Sequence, residues 1–160
     1  MTRTSTRRPV KTGLKAEPKH PLSGAFLISE ADRQLTELKP ALLGEKAEFV
    51  VDGVEYQLGR ESLIGDFTLS SGQRVLARAT KAGVFSSTFT IALGDSHYEL
   101  RRKLGAARFV LEQGGKQVGH ITQVGIFTRK TEIELPEEWP LPVRVFTFWL
   151  VQVIWNRDTA

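Results

Sequence analysis

The segment "VRVFTFWLVQVIW", residues 143–155, is the most hydrophobic part of this chain of 160 residues. As an α-helix its 13 residues would be about 20 Å long, whereas a bilayer crossing takes about 20 consecutive apolar residues. The segment also contains Arg144, Thr147 and Gln152, and Pro142 precedes it in a position typical of the first turn of a helix. Its length and composition therefore argue against a transmembrane helix.

The polar residues of this segment do not form a polar face. At 100° per residue they spread over about 140° of the helical wheel and share that sector with Phe148, Val151 and Trp155. A helix that is apolar nearly all round needs apolar partners on every side, so we predict a helix over residues 141–156 enclosed by the rest of the protein. Its expected core residues are Phe146, Phe148, Trp149, Leu150, Val153 and Ile154. A strand, a membrane-interface element and a C-terminal anchor are the alternatives, since Val, Phe, Trp and Ile also favour β-structure.

Residues 49–135 have a sequence pattern typical of a β-meander. Short runs rich in β-branched and aromatic residues are separated by Gly, Asp and Ser. The dipeptides Asp52-Gly53 and Gly94-Asp95 are typical of two-residue hairpin turns, which need positive φ angles. Apolar residues also alternate, as in the series Phe89, Ile91 and Leu93. We expect eight or nine short antiparallel strands.

The chain contains an internal repeat with an offset of 42 residues. Residues 56–94 and 98–136 share 11 identities without a gap, among them Phe67 with Phe109 and Phe85 with Phe127. Two units are too few for an open solenoid, and closure would remove the exposed sheet edges. We therefore predict a mainly β (β+α) fold, a small antiparallel β-barrel or roll. Two repeats of about 42 residues (49–94 and 91–136), related by a pseudo-twofold, would enclose the C-terminal helix.

The segment "AFLISEADRQLTELKPALLG", residues 25–44, has a different pattern. We interpret it as a short strand or apolar anchor followed by a helix, with Ser29 as the N-cap. Leu35 and Leu38 would share a helix face, and Pro40 would end the helix. A single domain would then cover residues 25–160.

Residues 1–24 contain six Lys/Arg and one acid, and the remaining residues have a net charge of −1. This basic segment has almost no large apolar side chain, so we expect a disordered tail. It would act as a solubilising leader, or as an electrostatic arm for nucleic acid or an anionic membrane through Arg3, Arg7, Arg8 and Lys11. No apolar run follows it, which argues against a signal peptide, although an organelle transit peptide is an alternative.

The residues that usually carry chemistry form no recognisable pattern. The chain has no cysteine, which excludes disulfides, thiol catalysis and zinc–thiolate sites and fits a cytoplasmic protein. His20, His97 and His120 are too far apart in sequence for a metal-binding motif, and no nucleophile-elbow, Walker or dinucleotide-binding motif occurs. We therefore expect no cofactor, no metal and no enzymatic activity.

The stretch "LRRKLGAAR", residues 100–108, is the one basic cluster outside the tail. Arg101, Arg102, Lys103 and Arg108 would form either a solvated strand end and loop or a patch that binds an anion or a lipid headgroup. Nucleic acid is disfavoured as a partner, because no aromatic side chain stands among these cations for bases to stack on.

Three stretches suggest a family. The run "FTLSSGQRVLARAT" (67–80), its echo "FVLEQGGKQVGHIT" (109–122) and the final "VFTFWLVQVIW" (145–155) resemble the tubby C-terminal-like superfamily. That group includes LURP-one-related proteins and phospholipid scramblases, and the C-terminal segment is also similar to that of bacterial proteins. The resemblance covers about residues 49–157 and implies a β-barrel closed around a hydrophobic helix. It also implies phosphoinositide binding, although no basic headgroup motif can be matched to particular residues, and the palmitoylated cysteines usual in scramblases have no counterpart.

Three hypotheses for the function follow from these observations. The first is a non-catalytic barrel module that binds anionic lipid headgroups or a membrane surface, which would make it a cytoplasmic protein that associates with membranes peripherally. The second is a structural or interaction module with a protein partner. The third is a protein anchored in a membrane through its C-terminal helix.

Overall fold

The computed structural model describes residues 13–62, 65–83, 85–103, 107–125 and 127–158. These residues form a closed barrel of twelve antiparallel strands, in which each strand pairs with its neighbours in the chain and β1 closes the barrel against β12. The strands are β1 Leu14–Pro18, β2 Phe26–Glu30, β3 Arg33–Pro40, β4 Ala47–Val51, β5 Val54–Arg60, β6 Phe67–Ser71, β7 Arg74–Lys81, β8 Phe89–Leu93, β9 Ser96–Arg102, β10 Arg108–Gln113, β11 Lys116–Val124 and β12 Lys130–Glu134. One helix, α1 Leu141–Asp158, follows them. The predicted β-barrel with a C-terminal helix is therefore confirmed.

The two ends of the barrel differ in how the strands are connected. Because consecutive strands run in opposite directions, every second connection emerges at the same end. We call one end the turn end; it contains the two-residue turns 31–32, 52–53, 72–73, 94–95 and 114–115 and the segment 135–140 that leads into α1. We call the other the loop end; it contains the longer loops 19–25, 41–46, 61–66, 82–88, 103–107 and 125–129.

The helix runs inside the barrel from the turn end to the loop end. It begins behind Pro140, whose carbonyl accepts hydrogen bonds from the amides of Val143 (3.0 Å) and Arg144 (3.3 Å). Its 18 residues correspond to about 27 Å at 1.5 Å per residue. At the far end of α1, Arg157 and Asp158 contact residues of the loop end.

Side chains of the barrel wall meet the helix on all sides. Phe26 packs edge-on against Phe148 with ring centroids 5.1 Å apart, and Phe67 packs against Trp149 at 5.7 Å. The hydroxyl of Thr147, fully buried, donates to the carbonyl of Val143 at 2.9 Å, so this polar group is satisfied within the helix. Burial of each large apolar side chain stabilises the fold by roughly 1.5–3 kcal/mol. The predicted core residues of the helix are all buried: Phe146, Phe148, Trp149, Leu150, Val153 and Ile154.

The same local geometry occurs three times in the wall. The register shifts after Ile28, Leu69 and Leu111, each time in the strand that precedes a two-residue turn. The first residue of the following turn has a positive φ in every case: 51° at Ala31, 60° at Gly72 and 59° at Gly114. The predicted turns Asp52-Gly53 and Gly94-Asp95 also connect paired strands.

The predicted disorder of residues 1–24 is wrong for its second half. Leu14–Pro18 forms β1, which pairs with β2 on one side and β12 on the other. Leu14 and Ala16 alternate with exposed residues and are buried in the core. Pairing on both sides stabilises a segment whose own composition is too polar to predict order. The first half of the predicted tail lies outside the described residues.

The predicted helix that starts at Ser29 is also wrong, because residues 26–40 form the hairpin of β2 and β3. The alternation of Thr36 and Leu38, both buried, is that of a strand. Thr36 satisfies its hydroxyl by donating to the carbonyl of Val50 at 2.7 Å. This hairpin and β1 raise the strand number to twelve. The strands β1–β3 precede the two predicted repeats and complete the barrel.

Candidate functional site

The predicted basic cluster at residues 101–108 does not form one patch. Arg101 and Arg102 point to opposite faces of β9, because Arg102 stands opposite the core residue Phe109 and Arg101 opposite Val110. Arg101 donates to Glu99 at 2.9 Å, and this hydrogen bond raises the pKa of the arginine. Arg102 forms an ion pair with Asp158 at the end of α1.

The other two cations of the predicted cluster lie apart from this pair. Lys103 is exposed in the loop after β9 and forms no ion pair with a described residue. Arg108 begins β10 and lines a cavity together with Arg144 of the helix. The tail cations Arg3, Arg7, Arg8 and Lys11 lie outside the described residues, so their role as an electrostatic arm stays a prediction.

The two ends of the barrel instead differ strongly in charge. Counted with the strand residue on either side, the loops of the loop end contain nine Lys/Arg and three Asp/Glu. The turns and the segment 135–140, counted in the same way, contain three Lys/Arg and seven Asp/Glu. The loop-end cations are Lys19, Lys46, Arg60, Lys81, Arg102, Lys103, Arg108, Arg129 and Lys130, and the turn-end acids are Glu30, Asp32, Asp52, Asp95, Glu134, Glu137 and Glu138. The chain order of the strands thus collects cations that are scattered in sequence.

The loop end also exposes large apolar side chains. Leu22, Leu42, Leu43, Phe85 and Phe127 have exposed fractions between 87% and 102%, so almost nothing covers them. All five lie in loops that emerge at the loop end. Exposed large apolar residues near the turn end are the smaller Val50, Val54 and Val75, at 43–50%. Leaving whole Phe and Leu side chains in water is unfavourable, and concentrations of such residues commonly mark interaction sites.

Several cations lie close together at the loop end of the barrel, where α1 ends. Arg157 donates to Glu45, and Arg60 lies 4.0 Å from the same carboxylate oxygen. Arg60 also lies over the ring of Phe67, 4.8 Å from its centroid, in a cation–π contact. Burial lowers the pKa of Lys81, and the charges of Arg157 and Arg60 lower it further. Three cations, Arg60, Lys81 and Arg157, therefore lie around the carboxylate of Glu45.

The histidines lie on different elements of the barrel. His97 lies in β9, and His120 lies in β11 with its Nε2 3.5 Å from a carboxylate oxygen of Glu134. The side chain of His120 is 23% exposed. The described residues contain no group of three His, Cys, Asp or Glu placed to hold a metal ion.

Sequence reasoning missed the exposed apolar loop residues. One signal could have identified two of them. Phe85 and Phe127 occupy equivalent positions of the repeat, and each stands two residues after a glycine that follows a strand. A large apolar residue that both copies of the repeat place in a loop is expected to lie outside the core and to be exposed. Leu22, Leu42 and Leu43 carry no such signal, because the sequence predicts a tail for the segment of Leu22 and the end of a helix for the segment of Leu42 and Leu43.

The described residues contain no helix with the length and hydropathy that crossing a bilayer requires. Comparison with known proteins found no family model, no curated protein and no solved structure that matches the chain.

Proposed function

We propose that this protein is a non-catalytic β-barrel module that binds the surface of anionic membranes through its loop end. The observation that carries the proposal is the coincidence, at one end of the barrel, of the exposed apolar loop residues and an excess of cations. It would act as a cytoplasmic protein that associates with membranes peripherally. The resemblance to the tubby C-terminal-like superfamily, which is associated with phosphoinositide binding, supports the same function.

The apolar loop residues fit a bilayer surface. They lie in four different loops around the barrel, so a broad surface could receive them together without a shaped groove. Full burial of a Phe or Leu side chain contributes roughly 1.5–3 kcal/mol, and shallow insertion among lipid headgroups would provide part of this. We place the membrane contact at the loops because the apolar side chains of α1 are already buried inside the barrel.

The cations of the loop end fit an anionic surface. A Lys or Arg near a negatively charged leaflet contributes about 1 kcal/mol, and the effect extends over about a Debye length. Lys46 and Lys103 are exposed in the same set of loops as the apolar side chains. The acidic turn end would face away from the membrane, so the charge asymmetry also orients the barrel.

Co-sedimentation with vesicles tests the proposal. The full chain should bind vesicles of phosphatidylcholine that contain about 30% phosphatidylserine, which gives them an anionic surface. It should bind vesicles of pure phosphatidylcholine far less. The double variant Phe85→Ser/Phe127→Ser should bind about tenfold more weakly for each Phe removed. The matched control Val54→Ser/Val75→Ser removes exposed apolar side chains near the turn end and should bind as the parent does.

Two results would refute this function. One is the absence of binding to anionic vesicles at low salt. The other is equal loss of binding in the loop-end variant and its turn-end control. If the loop-end variant instead loses a stoichiometric complex with a purified protein while no vesicle is bound, the loop end is a protein-interaction surface.

A further inference from the structure

A cavity of about 490 Å³, lined by both polar and apolar side chains, lies where β11, β12 and the start of α1 meet. It is distinct from the apolar loop residues, since none of them lines it. The volume falls in the range of small-molecule sites in proteins, about 300–1,000 Å³. Its apolar lining includes Leu14, Val118, Ile133, Leu135 and Pro136, and its polar lining comes from Arg108, Gln117, His120, Glu134, Glu137 and Arg144.

Two arginines of the cavity have buried donors that nothing in the described chain uses. The Nε atoms of Arg108 and Arg144 are buried and form no hydrogen bond. Neither guanidinium forms an ion pair with a described carboxylate. A buried donor without a partner costs about 1–3 kcal/mol, and more in a charged group. Both arginine side chains line the cavity, so their guanidinium groups could meet an acceptor from outside the chain there.

The two carboxylates that line the cavity, Glu134 and Glu137, form no ion pair with these arginines. Glu134 lies 3.5 Å from His120, and both side chains are partly covered. Glu137 is exposed at the turn end. Glycine at position 119 keeps β11 close to β12, because a Cβ there would meet the carbonyl oxygen of Glu134 at 2.6 Å. The wall beside the arginines is therefore tightly packed.

We infer that this cavity binds a small organic anion, in which a carboxylate or phosphate group on an apolar body is held by Arg108 and Arg144. Guanidinium groups hold carboxylates and phosphates through charge-assisted hydrogen bonds, often in pairs. The apolar lining accounts for the body of the ligand, because a free inorganic ion would leave that surface without a partner. The inference does not depend on the membrane-binding function: Arg108 is the one residue named for both, and the substitutions that test membrane binding, at Phe85 and Phe127, lie outside the cavity.

Calorimetric titration of the full chain without vesicles tests the inference. The probes are hexanoate and hexyl phosphate, with inorganic phosphate, hexanol and hexylammonium as comparisons. We expect saturable binding of at least one hexyl anion and weaker binding of inorganic phosphate, hexanol and hexylammonium. Which hexyl anion binds more tightly distinguishes a carboxylate ligand from a phosphate ligand.

The variants Arg108→Met and Arg144→Met should each weaken anion binding at least tenfold. Their melting temperatures without ligand should be unchanged or higher, because each substitution removes a buried donor that has no partner. The control Arg101→Met removes an exposed, ion-paired arginine of the neighbouring wall and should leave anion binding unchanged. Absence of saturable binding by both hexyl anions, or equal affinity for hexylammonium, would overturn the inference. So would lower melting temperatures with unchanged anion affinity in both variants, which would assign the arginines a structural role.

Discussion

The turn end and the loop end are built from the same strands, yet they have opposite character. The turn end consists of two-residue turns with three Lys/Arg and seven Asp/Glu, and its exposed apolar residues are half-covered valines. The loop end has three times as many cations as acids and exposes whole Leu and Phe side chains. Short turns leave room only for residues that suit their backbone angles. Longer loops are free of that constraint, so in this barrel the exposed apolar side chains and most of the cations lie where the connections are long.

The largest effect is expected from breaking the helix that links the two ends. Trp149 is 5% exposed and packs against Phe67 and Phe146. Trp149→Asp would bury an unpaired charge, so we expect a loss of about 4 kcal/mol or more in the free energy of unfolding. This is enough to unfold many domains of this size. Urea denaturation followed by circular dichroism measures the loss.

The matched control is Phe127→Asp, which introduces the same charge in place of an exposed aromatic of the loop end. Its free energy of unfolding should stay within about 0.5 kcal/mol of the parent's. A Trp149→Asp protein that still unfolds cooperatively with the stability of the parent would show that α1 does not hold the barrel together.

The second prediction tests whether the charge difference between the two ends governs vesicle binding. Lys46→Glu/Lys103→Glu should weaken binding to phosphatidylserine vesicles at least about thirtyfold, since each lost cation is worth about 1 kcal/mol near an anionic surface. Arg74→Glu/Lys116→Glu changes the net charge equally at the turn end and should have a much smaller effect. Vesicle titrations at two salt concentrations measure both. Equal effects would mean that net charge, and not its location, governs binding.

The third effect concerns the backbone of the turn end. Ala31 has a φ of 51°, a left-handed conformation that disfavours any residue with a Cβ, while Gly72 and Gly114 occupy the corresponding turns. Ala31→Gly should raise the free energy of unfolding by about 0.5–1 kcal/mol. Gly72→Ala should lower it by about 1 kcal/mol, and by strain alone, since a Cβ there would touch nothing within 4 Å. Thermal denaturation measures both, and a destabilised Ala31→Gly protein would contradict the assigned turn.

The smallest effect is a pH dependence at the loop end. Lys19 hydrogen-bonds to Glu37 at 2.7 Å and lowers the pKa of this carboxylate. The contribution of the pair is therefore present above the unfolded pKa of Glu and is lost as the pH falls through the lowered value. Glu37→Gln should be less stable than the parent at pH 7, by less than about 1 kcal/mol, and the difference should close towards pH 3. A difference that is the same at both pH values would exclude the ion pair as its cause.

Parts of the fold could be predicted from sequence because their signals are local. The helix has no polar face, and the turns at Asp52-Gly53 and Gly94-Asp95 have the residues that positive φ angles favour. The strand β1 could not be predicted, because it has only Leu14 and Ala16 as apolar residues and depends on β12, more than 110 residues away. In β3 the polar Thr36 occupies a buried position and hides the alternation of a strand.

The candidate sites depended on topology more than the fold did. Arg101, Arg102 and Lys103 are adjacent in sequence, but the alternation of a strand separates the first two and acids neutralise both. The loop end collects residues from six connections, so only the order of the strands reveals it. The cavity is lined by Arg108 and by Arg144, which belongs to the helix. In the sequence, Arg144 is recognisable only as a polar interruption of an apolar segment.

The orientation of the barrel on a membrane tests the central claim most directly. Because the chain has no cysteine, single cysteines can be introduced at exposed Ala82 in a loop of the loop end and at exposed Gln73 in a turn of the turn end, and labelled with a polarity-sensitive fluorophore. On addition of phosphatidylserine vesicles, the label at position 82 should shift to the blue and become protected from an aqueous quencher, while the label at position 73 should not change. Equal responses at both positions, or a response at position 73 alone, would contradict binding through the loop end.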